Sequence, residues 1–155
     1  MNRNVVTLHF GWFFLVFTES PVLSICTSCR DGREAVDGAR GGTRLAQSVV
    51  SQLEVRTATE LTLRGVQCMS QCKRPCIASL SGYNRSTYFF GDIDPENTEQ
   101  VDALFELVVQ FRIAPEGFLS RRDRPEAMRS NILGRLPPLG SNSSLVKPLS
   151  TLSTG

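Results

Sequence analysis

The sequence predicts an α/β domain with a small mixed four-stranded sheet, two main helices and a C-terminal extension. Three observations predict it. Short apolar runs of strand length alternate with amphipathic stretches of helical period. A strand–helix–strand unit near the start implies two parallel strands, because a crossover of this kind joins strands that run in the same direction. A predicted two-strand hairpin and a second long helix then complete the domain.

The first strand is predicted at residues 22–25, an apolar run that ends directly before Cys26. Thr43 is placed to cap the first helix, whose apolar residues recur at helical spacing: Leu45, Ala46, Val49, Val50 and Leu53. Residues 60–66 predict the second strand, which ends just before Cys68. We therefore expect both groups of cysteines at one C-terminal edge of the sheet, where open α/β sheets place their sites.

Residues 77–81 and 86–90 are predicted as the hairpin strands. Asp94, Pro95 and Glu96 predict the start of the strongest helix, with an apolar stripe formed by Val101, Leu104, Phe105, Val108 and Phe111. A short third helix is expected from Pro125, and residues 135–138 close the ordered region. The resulting order, β-α-β-β-β-α, is compatible with a thioredoxin-like sandwich.

The chain is predicted to have three parts. Residues 1–20 are interpreted as an N-terminal extension, either a start assigned too far upstream or a weak signal-like segment. Residues 21–139 form the domain, and residues 140–155, rich in Ser, Gly and Thr, predict a disordered tail. The chain has 155 residues with a formal net charge of +2, which argues against nucleic acid as its partner. Residues 5–17 are too short to span a bilayer, so we expect no membrane insertion.

Five cysteines carry the most specific functional signal. They lie at Cys26 and Cys29, and at Cys68, Cys72 and Cys76. Their odd number fits poorly with a closed set of disulfides and favours a reducing cytoplasm. His9 is the only histidine and lies outside the predicted domain, which excludes a Cys–His dyad and mixed Cys/His zinc sites within the domain.

Three interpretations of the cysteines remain open on pattern alone. Two loops that together supply four thiolates suit a [2Fe–2S] cluster or a structural zinc ion. The third interpretation is a dithiol redox pair, Cys26 and Cys29, although it leaves the other three cysteines without a role. Arg30, Lys73 and Arg74 lie beside the cysteines, and positive neighbours lower thiol pKa values and stabilise an anionic cluster.

The spacing Cys68-x3-Cys72, followed by Pro75, resembles the second half-site of thioredoxin-like [2Fe–2S] ferredoxins. The chain is more closely similar to a bacterial family of uncharacterised, predicted metal-binding proteins. This resemblance covers residues 22–139 and rests on the segments 26–29, 68–76, 87–92, 124–125 and 135–138. The two-residue gap between Cys26 and Cys29 departs from the ferredoxins, which separate their first two ligands by more residues.

The resemblance implies a metal-binding protein that is an electron carrier or metal carrier rather than an enzyme. Such a protein carries one electron, or a metal, for a partner protein. A link to cobalamin or cobalt metabolism is also implied. The expected ligands of the [2Fe–2S] cluster, or of zinc as the alternative, are Cys26, Cys29, Cys68 and Cys72. Cys76 is expected to be buried and is the reserve ligand, whereas Asp31 is expected to be a solvated turn residue. A homodimer is compatible with this picture.

Overall fold

A five-stranded mixed sheet forms the centre of the computed structural model, which describes residues 20–56 and 59–149. The strand order is β2-β1-β3-β4-β5. β1 and β2 are parallel, and the other neighbouring pairs are antiparallel. The strands are β1 Val22–Cys26, β2 Thr62–Val66, β3 Ala78–Ser81, β4 Thr87–Phe90 and β5 Ile132–Leu136.

Two long helices pack on this sheet, in agreement with the predicted α/β class. α2 contacts both β1 and α3. α3 buries the whole predicted apolar stripe, and its N-cap Asn97 accepts a hydrogen bond from the backbone of Gln100 at 3.2 Å. The helices are α1 Glu34–Asp37, α2 Gly41–Glu54 and α3 Thr98–Ile113, and single 3-10 turns occupy Pro115–Gly117 and Glu126–Met128.

The predicted number of four strands is wrong, because Ile132–Leu136 forms a fifth strand antiparallel to β4. This segment was expected to be part of the C-terminal extension, and the third helix expected from Pro125 is only the 3-10 turn Glu126–Met128. The strand is stabilised by its pairing with β4 and by Ile132 and Leu133, which pack against the core. Both are tertiary effects that a five-residue run containing Gly134 does not reveal.

The N-terminus of α2 also differs from the prediction. The helix begins at Gly41 rather than after a Thr43 cap. The Thr43 hydroxyl instead donates a hydrogen bond to the carbonyl oxygen of Thr27, at 3.3 Å, and so ties the helix to the loop that follows β1.

The two ends of the chain are described only in part. The predicted N-terminal extension lies outside the described residues except for residue 20. Within the predicted tail, Ser141 and the backbone of Asn142 donate hydrogen bonds to the Glu116 carboxylate, and residues 150–155 are not described. The division into three parts therefore stays a prediction. Over residues 20–56 and 59–149, no helix combines the length and apolar character that crossing a membrane requires.

Candidate metal centre

The two cysteine loops lie side by side at the C-terminal ends of β1 and β2. We call residues 26–30 the first cysteine loop and residues 67–76 the second. In the parallel register Cys26 is opposite Val66. The ladder continues past the strands, because the Thr27 amide donates to the Val66 carbonyl oxygen at 2.8 Å, and the Ser28 hydroxyl donates to that of Gln67. The prediction that both cysteine groups share one edge of the sheet is confirmed.

The first cysteine pair is buried beneath the start of α2. Cys26 is 3 % exposed and Cys29 is 4 % exposed. The Gly42 amide donates to the Cys29 carbonyl oxygen at 3.1 Å. A Cβ atom on Gly42 would lie 2.0 Å from the Cys26 carbonyl oxygen, so only glycine allows the helix to approach the loop this closely.

The two thiols of this pair have opposite pKa shifts. Burial raises the pKa of Cys26, but hydrogen bonds from the Cys29 side chain, from Ser28 and from the Met69 amide outweigh it and leave that pKa below its usual value. Burial raises the pKa of Cys29 to about 12, and the interaction with Cys26 adds to the increase. Cys26 therefore becomes a thiolate before Cys29 does. Because Met69 follows Cys68, its amide also connects the second cysteine loop to the first pair.

The second cysteine loop is fixed at both ends and exposed in the middle. At its far end the amides and carbonyl oxygens of Cys76 and Ile93 exchange two hydrogen bonds of 3.3 Å, and Arg74 forms an ion pair with Asp92 at 2.5 Å. Cys68 and Cys72 are exposed. The Ser70 amide donates to the Cys68 sulfur at 3.4 Å.

Cys76 is fully buried, as expected, and lies beside Asp31. A Cβ atom on Gly41 would be 2.8 Å from the Cys76 sulfur and 2.7 Å from Cγ of Asp31, so these two side chains meet beneath the first residue of α2. Burial raises the pKa of Cys76 to about 12, with further increases from the charges of Cys29 and Asp31. Cys29 therefore has Cys26, Cys72 and Cys76 as electrostatic neighbours.

Asp31 is not the solvated turn residue that the sequence predicts, since its side chain is only 11 % exposed. Burial raises its pKa, but hydrogen bonds from Arg33 and the charge of Arg44 outweigh this and lower it. Arg44 lies 2.5 Å from Asp31 and 2.8 Å from Glu96, and Arg33 also bridges Asp31 to Glu96. This network joins the first cysteine loop, α2 and the segment before α3.

Sequence reasoning missed Arg44, Glu96 and the glycine pair at the start of α2. The sequence offered a signal for the glycines alone, since two adjacent glycines at a helix start indicate a close backbone approach. The partners of the two charged residues lie 13 and 52 positions away along the chain. Such pairings depend on the fold.

The donor chemistry of the two loops fits a thiolate-bound metal or iron–sulfur cluster. All five thiols are free, and the Ser70 amide donates a hydrogen bond to the Cys68 sulfur at 3.4 Å. The backbone of Met69 and that of Ile77 act to lower the pKa values of Cys26 and Cys29. Within residues 20–56 and 59–149, however, no three His, Cys, Asp or Glu side chains are already arranged to hold a metal ion. A site with four sulfur ligands would therefore need these side chains to rearrange.

Two cavities lie away from the cysteines. A groove of about 670 Å³ runs between α2 and the start of α3, and Arg44 and Glu96 belong to its wall. A second cavity of about 450 Å³ is lined by Arg135, Phe118 and residues of the C-terminal segment. Neither of these two walls contains a cysteine.

The comparisons with known proteins agree with this fold. A family model described as "Protein of unknown function (DUF1636)" matches residues 23–138. None of the curated proteins matches the chain. Two solved structures are similar, both of a thioredoxin-like [2Fe–2S] ferredoxin from Aquifex aeolicus. The first is 16 % identical, with a TM-score of 0.50, and the alignment covers 79 % of this chain and 98 % of the ferredoxin.

The second ferredoxin structure, of the wild-type protein at 1.5 Å resolution, is 13 % identical with a TM-score of 0.44. Its alignment covers 75 % of this chain and 98 % of the ferredoxin. At such identities the first similarity shows the fold alone. The predicted thioredoxin-like architecture is confirmed.

Proposed function

We propose that this chain, which belongs to the DUF1636 family, holds a [2Fe–2S] cluster at the edge formed by the two cysteine loops and carries one electron for a partner protein. The observation that carries the proposal is the hydrogen-bonded junction of the two loops, which brings thiols from both to the ends of two parallel strands. Cys26, Cys29, Cys68 and Cys72 are the proposed ligands. When bound, such a cluster supplies a one-electron redox couple.

The protein's part in this function is to hold thiolates and to set their electrostatic environment. The Ser70 amide donates a hydrogen bond to the Cys68 sulfur, and such bonds are among the features that tune the reduction potential of iron–sulfur sites. The burial of Cys26 and Cys29 excludes water from the inner side of the site. Cys68 and Cys72 are exposed, so we expect a partner to reach the site from their side.

Anaerobic purification followed by an absorption spectrum and metal analysis tests the proposal. We expect visible charge-transfer bands and about two iron and two sulfide per chain. A colourless protein with about one zinc per chain would instead support a structural or metal-delivery zinc protein. The same metal analysis should also measure cobalt, because the link to cobalamin or cobalt metabolism that the family resemblance implies predicts bound cobalt.

Serine variants of the cysteines test the ligand set. Cys68→Ser and Cys72→Ser should each lose most of the chromophore, whereas the matched variant Cys76→Ser should keep it, because Cys76 is fully buried beside Asp31 beneath the first residue of α2. Loss of colour in Cys76→Ser with retention in Cys72→Ser would show that the reserve ligand takes part instead.

A dithiol oxidoreductase is the second candidate function. The contact between Cys26 and Cys29 and their opposite pKa shifts favour it, since such a pair supplies one reactive thiolate and one resolving thiol. Disulfide reduction by the metal-free protein, abolished by Cys26→Ser and unaffected by Cys68→Ser, would support this candidate. The cytoplasmic location and the homodimer stay predictions, and light scattering of the purified protein tests the latter.

A further inference from the structure

Three exposed cations lie next to the two cysteine loops or within them. Arg30 directly follows Cys29, and Lys73 directly follows Cys72. The Arg40 guanidinium donates to the Ser28 carbonyl oxygen at 3.4 Å, which places it against the first cysteine loop. We call Arg30, Arg40 and Lys73 the basic rim.

Ion pairs do not neutralise the basic rim. Within residues 20–56 and 59–149, none of its three side chains forms an ion pair with a carboxylate. The acidic residues nearest the two loops have other partners: Asp92 pairs with Arg74, and Asp31 pairs with Arg33 and Arg44. The rim charges therefore remain available to an approaching molecule.

We propose that the basic rim is the docking surface for an acidic face of a protein partner, which it orients over Cys68 and Cys72. This inference rests on the proposed function, because an electron carrier must meet its partner at the exposed side of its site. Opposite charges steer diffusing proteins into productive encounters. A protein is favoured over nucleic acid because the rim has only three cations and neither cysteine loop contains an aromatic residue for base stacking.

The reactivity of the exposed thiols tests the positive field without any bound cluster. The metal-free protein is treated with dithiobis(nitrobenzoate), a dianion, and separately with cystamine, a dication, over a range of salt concentrations. We expect the rate with the dianion to fall as salt is added and the rate with the dication to rise. The opposite signs, or no salt dependence for either reagent, would overturn the proposal.

Reversing the charges of the basic rim tests whether these three residues are the source of the positive field at the exposed thiols. The triple variant Arg30→Glu, Arg40→Glu, Lys73→Glu should slow the dianion about tenfold at low salt. The matched control, with the same change in net charge, is Arg121→Glu, Arg122→Glu, Lys147→Glu. These three residues are exposed and lie outside both cysteine loops. An equal slowing in the control would show that net charge, rather than the rim, controls the rate.

Titration of the loaded protein with polyglutamate, followed by amide NMR, tests the kind of partner. We expect the largest shifts at the rim and their loss in the triple variant Arg30→Gln, Arg40→Gln, Lys73→Gln, whose circular dichroism should match that of the parent. Tighter binding of a single-stranded oligonucleotide of equal charge would overturn the proposal. A protein without iron would refute the proposed cluster while leaving the thiol-rate experiment interpretable, so the two failures are distinguishable.

Discussion

Gly42→Ala should destabilise the protein although it replaces glycine inside a helix, a change that usually stabilises by about 1 kcal/mol. The new Cβ atom would lie 2.0 Å from the Cys26 carbonyl oxygen and 3.0 Å from the Cys29 amide nitrogen, and both are backbone atoms. Reaching even a 3.0 Å contact with the oxygen requires the start of α2 to move by about 1 Å. That movement also strains the hydrogen bond from the Gly42 amide to Cys29.

The size of the effect follows from these opposing contributions. Overpacking costs about 1–3 kcal/mol, and a weakened hydrogen bond adds about 1 kcal/mol. After the helix-propensity gain, the free energy of unfolding should fall by about 2 kcal/mol, which lowers the melting temperature by about 8 °C. Urea unfolding and calorimetry of the metal-free protein measure both quantities.

Gly134→Ala is the matched control for this measurement. A Cβ atom at Gly134, in β5, meets nothing within 4 Å, so its stability should change by less than about 0.5 kcal/mol. If Gly42→Ala proved as stable as Gly134→Ala, the close approach of α2 to the first cysteine loop would be refuted.

Three further predictions follow from the same edge of the sheet. In the metal-free protein, burial holds the pKa values of Cys76 and Cys29 at about 12 against 9.0 for a free thiol, so the folded state keeps protons that the unfolded state loses above pH 9. Each thiol should lower the free energy of unfolding by up to about 1.4 kcal/mol per pH unit, and Cys76→Ala should reduce that slope in urea titrations without abolishing it. Arg44→Gln should lower the melting temperature more than Arg112→Gln, because the Arg44 side chain is 10 % exposed and forms ion pairs with three carboxylates, whereas the Arg112 side chain is 35 % exposed and forms an ion pair with one. Equal decreases in melting temperature would contradict a stabilising role for the ion-pair network around Arg44. Metal loading should protect the chain from trypsin at Lys73, because ligation by the exposed Cys68 and Cys72 would restrain the second cysteine loop; mass spectrometry of the fragments measures this, and unchanged cleavage would argue against ligation by that loop.

The sequence was sufficient to place the cysteines at one edge of the sheet, because strand direction follows from the crossover between β1 and β2. It was not sufficient to show that Cys26 is buried while Cys68 is exposed, since that difference depends on how closely α2 approaches the first loop. Asp31 was misjudged for a related reason. Its carboxylate turns inward towards Arg44, which is 13 residues away along the chain and becomes a neighbour only after folding.

The hydrogen bonds that continue the β1–β2 ladder into Thr27 and Ser28 determine where the two cysteine loops start relative to each other. That starting separation is the spacing of neighbouring strands, about 4.8 Å, and the Ser28 hydroxyl adds a side-chain hydrogen bond where the loops begin. The sheet therefore sets where both loops begin, and the residues within the loops determine which group can be bound. Among relatives with this architecture, the bound group should vary more readily than the scaffold that presents it.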